Sequence, residues 1–529
     1  MVLRLLHLQQ DLLVKQLLYT ITLLLLLCAC SRSAVEPSQY QPITQQASIL
    51  PDITGATIPV NIAPLNFSVC GDSIDQCVAR FDYPGGSVCF GENHRVMIEP
   101  EQWRQMLTRC VGDSLYVTLY THSAATGWLQ HPRFGIEVVS DSIDRYVAYR
   151  LIPPYNTYER ISLAYRDLES FDEVEYYNNQ MLDNPQGGHC VNCHAFQSNR
   201  PNRYQLHVRE EYGGTVVYNE GRWGKYNMKL PNTISGAVYP AWHPTLPLIA
   251  YSVNKTFMEF HTNGLTKSEV QDTQSGLILY DADHERVIPI CDEPDLLETF
   301  PTWSPDGQWL YYSSACFTYQ EADALDPDNR HRIKRQHEVT NRYREVRYDI
   351  YRRRFDARQL SFGEPQLVLN ASADSLSATL PRISPDGRWL LTSIGGYGCF
   401  HVYHPEADLR LDDLSTLGQM GQIDSIASTK AIAPANSPSA ESYHNWSHSG
   451  RWIVYQSRRR DDNYTRLYFS YFDREGRAHK PFEMPQADPD YELLHLRSYN
   501  IPEFLLDPIP FSPAQLARTI LTPTRNVKP

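Results

Sequence analysis

The sequence predicts an all-β protein: an N-terminal β-sandwich-like domain, a short cysteine-bearing connector, and a C-terminal β-propeller of five or six blades. Three observations carry this reading. Tyrosine (34) and proline (36) are abundant while long helix-forming runs are scarce, which favours strands and turns. Hydrophobic residues are 42% of 529 positions, enough for a substantial core in a chain too long for one ordinary domain. And one pattern, a segment led by an aromatic or a leucine, a tight turn and an apolar strand, recurs four times in the C-terminal half.

Residues 1–30 read as a targeting segment. Arg4 and Lys15 precede an apolar run over 17–27 that is too short to span a bilayer comfortably. The run ends Leu27-Cys28-Ala29-Cys30, which resembles a bacterial lipobox with Cys30 as the lipidated residue; the alternative is an ordinary cleaved signal peptide. Ser31 in place of Asp after Cys30, and the lack of an acidic run there, suggest an outer membrane lipoprotein facing the periplasm, held to the membrane by its lipid anchor. A net charge of −13 argues against a nucleic acid partner.

Residues 31–48 are polar and read as a tether. Residues 49–168 alternate strand-like runs, such as 114–120, 134–139 and 146–151, with turns, and 100–109 reads as one short helix with Pro100 at its start. Cys70, Cys77, Cys89 and Cys110 could make two disulfides, with three pairings open. Cys291, Cys316 and Cys399 are odd in number, so at least one thiol is free. His94, His122 and His131 read as ordinary surface or core residues.

The connector, 169–212, is acidic and polar, then runs through Gly187-Gly188 into His189-Cys190-Val191-Asn192-Cys193-His194. Cys-x-x-Cys-His is the attachment signature of a c-type haem. Two thiols at this spacing can form thioethers with one porphyrin, and the adjacent histidine becomes the proximal ligand. One covalent haem c is therefore expected on Cys190, Cys193 and His194. His207 is the first choice for the second axial ligand, with His189, Met181 and Met228 as others. Zinc would need a fourth protein ligand, and a thioredoxin-like disulfide would need a βαβ context that is missing. Helices such as flank the haem of a small cytochrome c are not found, so the connector reads as loop-rich.

From 213 to 505 four segments repeat: 239–252, 300–313, 380–393 and 443–457. Two contain Ser-Pro-Asp-Gly, in which Pro fixes φ, Asp caps the turn and Gly takes positive φ. The spacing exceeds the ~40–50 residues of a four-stranded blade, so insertions are expected at 259–275 and 318–346. A second hairpin follows each repeat, and an extra one, 214–229, precedes the first. Residues 506–529 are left as a C-terminal tail. His401 and His404 would fall on opposite faces of a strand and make a poor chelate, His444 and His448 read as structural, and the basic run 330–347 as an exposed insertion. No nucleophile elbow, phosphate loop or acid–base pair is found.

The repeat resembles the TolB-type propeller repeat. Cys190–Phe196 (CVNCHAF), Leu206–Arg209, Gly213–Thr215, Gly236–Pro244 and Tyr464–Pro485, with Pro59–Phe67 (PVNIAPLNF) and Arg166–Phe171, together resemble a family of Bacteroidetes envelope proteins. Those join a TolB-like propeller to one Cys-x-x-Cys-His motif. The resemblance covers most of the chain after residue 30 and implies a haem and a propeller, and no particular reaction. The expectation is a haem-carrying electron carrier that exchanges one electron with an envelope protein partner. The alternative is a propeller binding or scaffold protein whose haem is structural or sensory. An enzyme working at an open haem is the third.

Overall fold

The computed structural model describes residues 34–529 except 72, 155–158, 183–187, 232, 265, 267, 292, 294, 319, 321–336 and 418–431. The expected signal peptide, Cys30 and part of the basic run 330–347 lie outside the described residues. No described helix is long and apolar enough to cross a membrane.

The chain is mostly β. Its N-terminal part is a seven-stranded sheet, a three-stranded sheet (Ile49–Leu50, Phe67–Val69, Arg95–Val96) and the helix Pro100–Cys110. The helix forms where the sequence placed it. Glu99 accepts from the backbone N–H groups of Glu101 and Gln102, and Trp103, Met106, Leu107 and Cys110 turn inward. The Trp103 indole N–H donates to the Ile62 carbonyl at 2.9 Å, so its polar atom is satisfied within the core. The two expected disulfides are not formed: Cys70, Cys77, Cys89 and Cys110 are all thiols. Cys77 and Cys110 are buried as small apolar groups, and Cys70 is exposed. Cys291 and Cys399 are likewise buried thiols.

The rest forms six small sheets among the described residues, antiparallel apart from one parallel C-terminal strand. We name each by its inner strand: β1 (Val191–Gln197), β2 (Ala237–Trp242), β3 (Leu296–Trp303), β4 (Ser377–Ile383), β5 (Glu441–Trp446) and β6 (Ser498–Leu505). The inner strands touch in the order β1–β2–β3–β4–β5–β6 and back to β1. The ring closes non-locally, because β6 pairs with Tyr146–Ile152, which pairs in turn with Ser162–Asp167 and Glu173–Asn178.

Apolar clusters fill the gaps between neighbouring sheets. Leu248, Ala250 and Leu279 of the β2 sheet meet Trp303, Leu310 and Phe355 of the β3 sheet. Trp389 and Leu411 of the β4 sheet meet Trp446 and Ile453 of the β5 sheet. Each such side chain contributes ~1.5–3 kcal/mol when fully buried. The cluster between the β5 and β6 sheets continues into the N-terminal core, so the two parts share one interior.

Several expected boundaries move. Residues 146–151 belong to the ring and not to the N-terminal domain. The 169–212 connector is largely strand: Glu173–Asn178 ends the β6 sheet, and β1 with Arg200–Val208 opens another. Cross-strand pairing and burial on both faces override the polar, Gly-rich local composition that suggested loops. The hairpin expected at 214–229 completes the β1 sheet, and the tail is docked: Arg525–Asn526 adds to that sheet in parallel, and Leu516 and Ile520 of helix Pro513–Ile520 enter its core. The insertion at 259–275 lengthens the hairpin Leu248–Phe260/Ser268–Asp281. Its Glu269 accepts from the Tyr397 hydroxyl (2.7 Å) and pairs with His404 Nε2 (3.2 Å), so the hairpin crosses the ring from the β2 sheet to the β4 sheet.

The Ser-Pro-Asp-Gly turn behaves as read. Gly307 takes φ 69°, and the Asp306 carboxylate accepts from the Gln308 N–H at 3.0 Å. A Cβ on Gly307 would fall 2.3 Å from His243 Nε2, so glycine also admits the neighbouring sheet.

Candidate functional site

All six inner strands carry a bulge at one position. The register slips between Asn192 and Ala195, Val238 and Ala241, Thr299 and Thr302, Thr379 and Arg382, and Ser442 and Asn445, and opposite Ala148–Arg150 in β6. The residue inside each bulge has positive φ: Cys193 (54°), Tyr239 (49°), Phe300 (51°), Leu380 (54°), Tyr443 (44°) and Ile501 (50°). A non-glycine residue in this region is uncommon and is held there by its surroundings. The next residue is Pro240, Pro301, Pro381 or Pro502 in four strands, and His194 or His444 in two. Proline suits the place because a bulge residue has no ladder partner for its N–H. The same stretch binds sheet to sheet: Trp242, Trp303 and Trp446 donate their indole N–H groups to the carbonyls of Ala195, Ala241 and Arg382, at 3.3, 3.0 and 3.2 Å.

Cys193-His194-Ala195-Phe196 is therefore the fifth copy of the repeat, and Ile501-Pro502-Glu503-Phe504 the sixth. The six bulge side chains converge on the axis around a cavity of about 40 Å³, which His194, Arg382 and Glu503 also line. His194 is buried, and neither of its ring nitrogens completes a hydrogen bond. Its Nε2 stands 3.9 Å from Glu503 Oε1. Burial, helped by the nearby Arg150 charge, pushes the imidazole down to about 3, and burial pushes the Glu503 carboxyl up to about 8. Both are held mainly neutral near pH 7.

The residues expected to hold haem do not meet in one space. Cys193 and His194 face the axial cavity. Cys190 packs with Tyr177, Val191 and Val208 in the core between the β6 and β1 sheets. His207 pairs with Asn192 along the strand, lies 3.2 Å from the Thr215 hydroxyl and stands over Gly236. His189 meets the Tyr177 hydroxyl at 2.7 Å. A water needs ~10–15 Å³, so about 40 Å³ admits a few waters; ligands of macrocycle size occupy several hundred. The folded arrangement does not fit a haem. Among the described residues no three His, Cys, Asp or Glu side chains are grouped to hold a metal ion.

A larger pocket, about 340 Å³, opens at the end of the ring where the inner strands begin. Ser498 and Asn500 line it just ahead of the Ile501 bulge, with Ile152, which pairs with Ser498, beside them. Arg458 follows Ser457, which pairs with the first residue of β5. Tyr403 and Ser268 complete the wall, the latter from the crossing hairpin. Sequence reading missed this mouth. The available signal was the run Arg458-Arg459-Arg460 directly after a repeat strand.

Neither protein-family models nor curated proteins give a match to this chain. Among solved structures, hydrazine synthase from Kuenenia stuttgartiensis is similar over 67% of this chain and 91% of its own, at 11% identity and a TM-score of 0.33. A prolyl endopeptidase is similar over 64% of this chain at 11% identity and a TM-score of 0.32; this chain spans 42% of its length. Prolyl oligopeptidase B from Galerina marginata is similar over 82% of this chain and 62% of its own, at 9% identity and a TM-score of 0.34. Likeness at this level carries no assignment.

Proposed function

We propose that the six-sheet ring is a six-bladed β-propeller, tethered in the cell envelope through Cys30, and that it is a binding module whose ligand site is the mouth. The observation that carries this reading is the repeated bulge. Six side chains close the axis, so the mouth is a blind pocket and not a through-channel. Its 340 Å³ lies in the ~300–1,000 Å³ range of small-molecule sites. The pocket draws on strands of distant sequence, which a rigid ring holds in register. A crystallographic fragment soak of residues 34–529 is expected to place hits in this mouth. Hits spread over other surfaces, with the mouth empty, would count against it.

The second reading keeps a covalent haem and one-electron exchange with an envelope partner. It is favoured by the motif itself and by the two unmet nitrogens of His194. It requires β1 to leave the pairing described above, because Cys190 and Cys193 face different spaces in the folded ring.

A further inference from the structure

The mouth pocket holds a guanidinium that makes no ion pair with a described carboxylate. Arg458 is the one charged side chain among the described residues lining it. Three other arginines near it in sequence are paired: Arg459 with Glu441 (3.0 Å), Arg460 with Glu483 (2.6 Å) and Arg466 with Glu492 (2.7 Å). Arg458 makes only a long contact to the Asp462 carbonyl (3.5 Å) and lies over the Tyr403 ring, 5.6 Å from its centre. Its Nε is buried and has no partner. Asp461 and Asp462 stand near enough to act on its charge, but their oxygens are taken up by other donors. Asp461 Oδ1 accepts from the N–H groups of Asn463 and Tyr464, and Asp462 Oδ1 from the Ser439 hydroxyl.

A second guanidinium lies behind the pocket wall. Arg150 is buried, donates to the Val191 carbonyl (3.3 Å) and to Asn500 Oδ1 (2.8 Å), and has a buried Nε with no partner. Neither arginine forms an ion pair with a described carboxylate. Asn500 lines the pocket, so the second charge acts through it. Leaving a buried and a half-buried guanidinium without an ion pair is costly, in a chain whose net charge is −13 and which has carboxylates to spare. An anion from outside would meet Arg458 directly and lie beside Asn500. The remaining wall is apolar and aromatic, with Ile152, Pro153 and Tyr403.

We infer that the mouth binds a small organic monocarboxylate, its carboxylate on Arg458 and its apolar body against Ile152, Pro153 and Tyr403. This rests on the ring being a binding propeller. The guanidinium fork matches a carboxylate bidentately.

The test is isothermal titration of the full chain with phenylacetate and with its neutral twin, phenylacetamide, beside Arg458→Met and Arg458→Lys. Phenylacetate should bind about tenfold or more tightly than the amide, and R458M should lose about tenfold or more, as expected for hydrogen bonds to a charged group. R458K should fall between, and unchanged melting of both variants shows that the fold is kept. Equal binding of acid and amide, or no effect of R458M, overturns the carboxylate while leaving a binding propeller standing. Sulfate competing as well as phenylacetate overturns the organic acid. No titration signal together with an empty mouth in the fragment soak removes the inference and the propeller reading alike.

Discussion

β1 and β5 carry the same bulge with the same residue type behind it: Cys193-His194 in one, Tyr443-His444 in the other. Both histidines are buried, and burial pushes both down to about 3. They differ in what they touch. His444 Nε2 meets the Leu391 carbonyl at 3.0 Å, and its nearest charge is Arg382. His194 completes no hydrogen bond and faces the Glu503 carboxyl. A histidine can thus replace the bulge proline for purely structural reasons, as at His444. At His194 the imidazole packs edge-on against Phe196, but its nitrogens tie no strand to another as His444 does.

Three changes sharpen this contrast. The largest effect is expected from His444→Ala. It strips the Leu391 carbonyl of its donor and opens space in a close-packed ring, and should cost ~2–3 kcal/mol in denaturant or a matching fall in melting temperature. A cost at His194→Ala as large as this would erase the distinction.

Glu503→Gln comes next. The folded carboxyl sits at about 8 against an ordinary 4.5, so the folded chain holds a proton that the unfolded chain releases in that window. Stability from this group is full at low pH and is lost as pH rises from 4.5 towards 8. Glutamine removes the slope, so the variant should gain on the parent by ~1 kcal/mol or more at pH 8 and little at pH 5. The histidines act oppositely, weakening the fold as pH drops from 6.5 towards 3. Parallel melting curves for the two proteins from pH 5 to pH 8 would show that Glu503 is not the buried acid described.

The smallest effect is expected from His194→Pro. Four of the six bulges already hold proline there, and His194 N–H has no ladder partner, so stability should change by less than ~1 kcal/mol. Unfolding of this variant would mean that β1 is not equivalent to the other inner strands.

The same two strands show what the sequence could and could not reveal. The β2 to β5 sheets were legible because each has an aromatic or leucine before proline or histidine and an apolar strand after the turn. In β1 the bulge residue is a cysteine, and the turn at Ser198 and Asn199 uses two positive φ angles without Ser-Pro-Asp-Gly. The short Cys-x-x-Cys-His pattern therefore stood out as chemistry and hid a repeat. β6 was illegible for another reason: its partner strand lies at 146–152, and no local signal announces pairing over that distance. The mouth suffers likewise, since Tyr403, Arg458 and the pair Ile152 and Asn500 come from different sheets, and the last two from distant parts of the sequence. Cys193, His194 and His207 were read on a loop-rich connector and lie on the paired strands Val191–Gln197 and Arg200–Val208, just after Cys190; their directions depend on the bulge, which spacing alone does not encode.

The most direct measurement is a pyridine haemochrome spectrum on the full chain matured in a cytochrome c-competent host, with Cys190→Ala/Cys193→Ala alongside. The ring arrangement predicts no c-type band in either protein and at most a modest fall in melting temperature in the double variant, which loses two buried sulfurs from an inner strand. A c-type spectrum in the parent that vanishes in the double variant would contradict it, and would mean that β1 opens to receive a macrocycle.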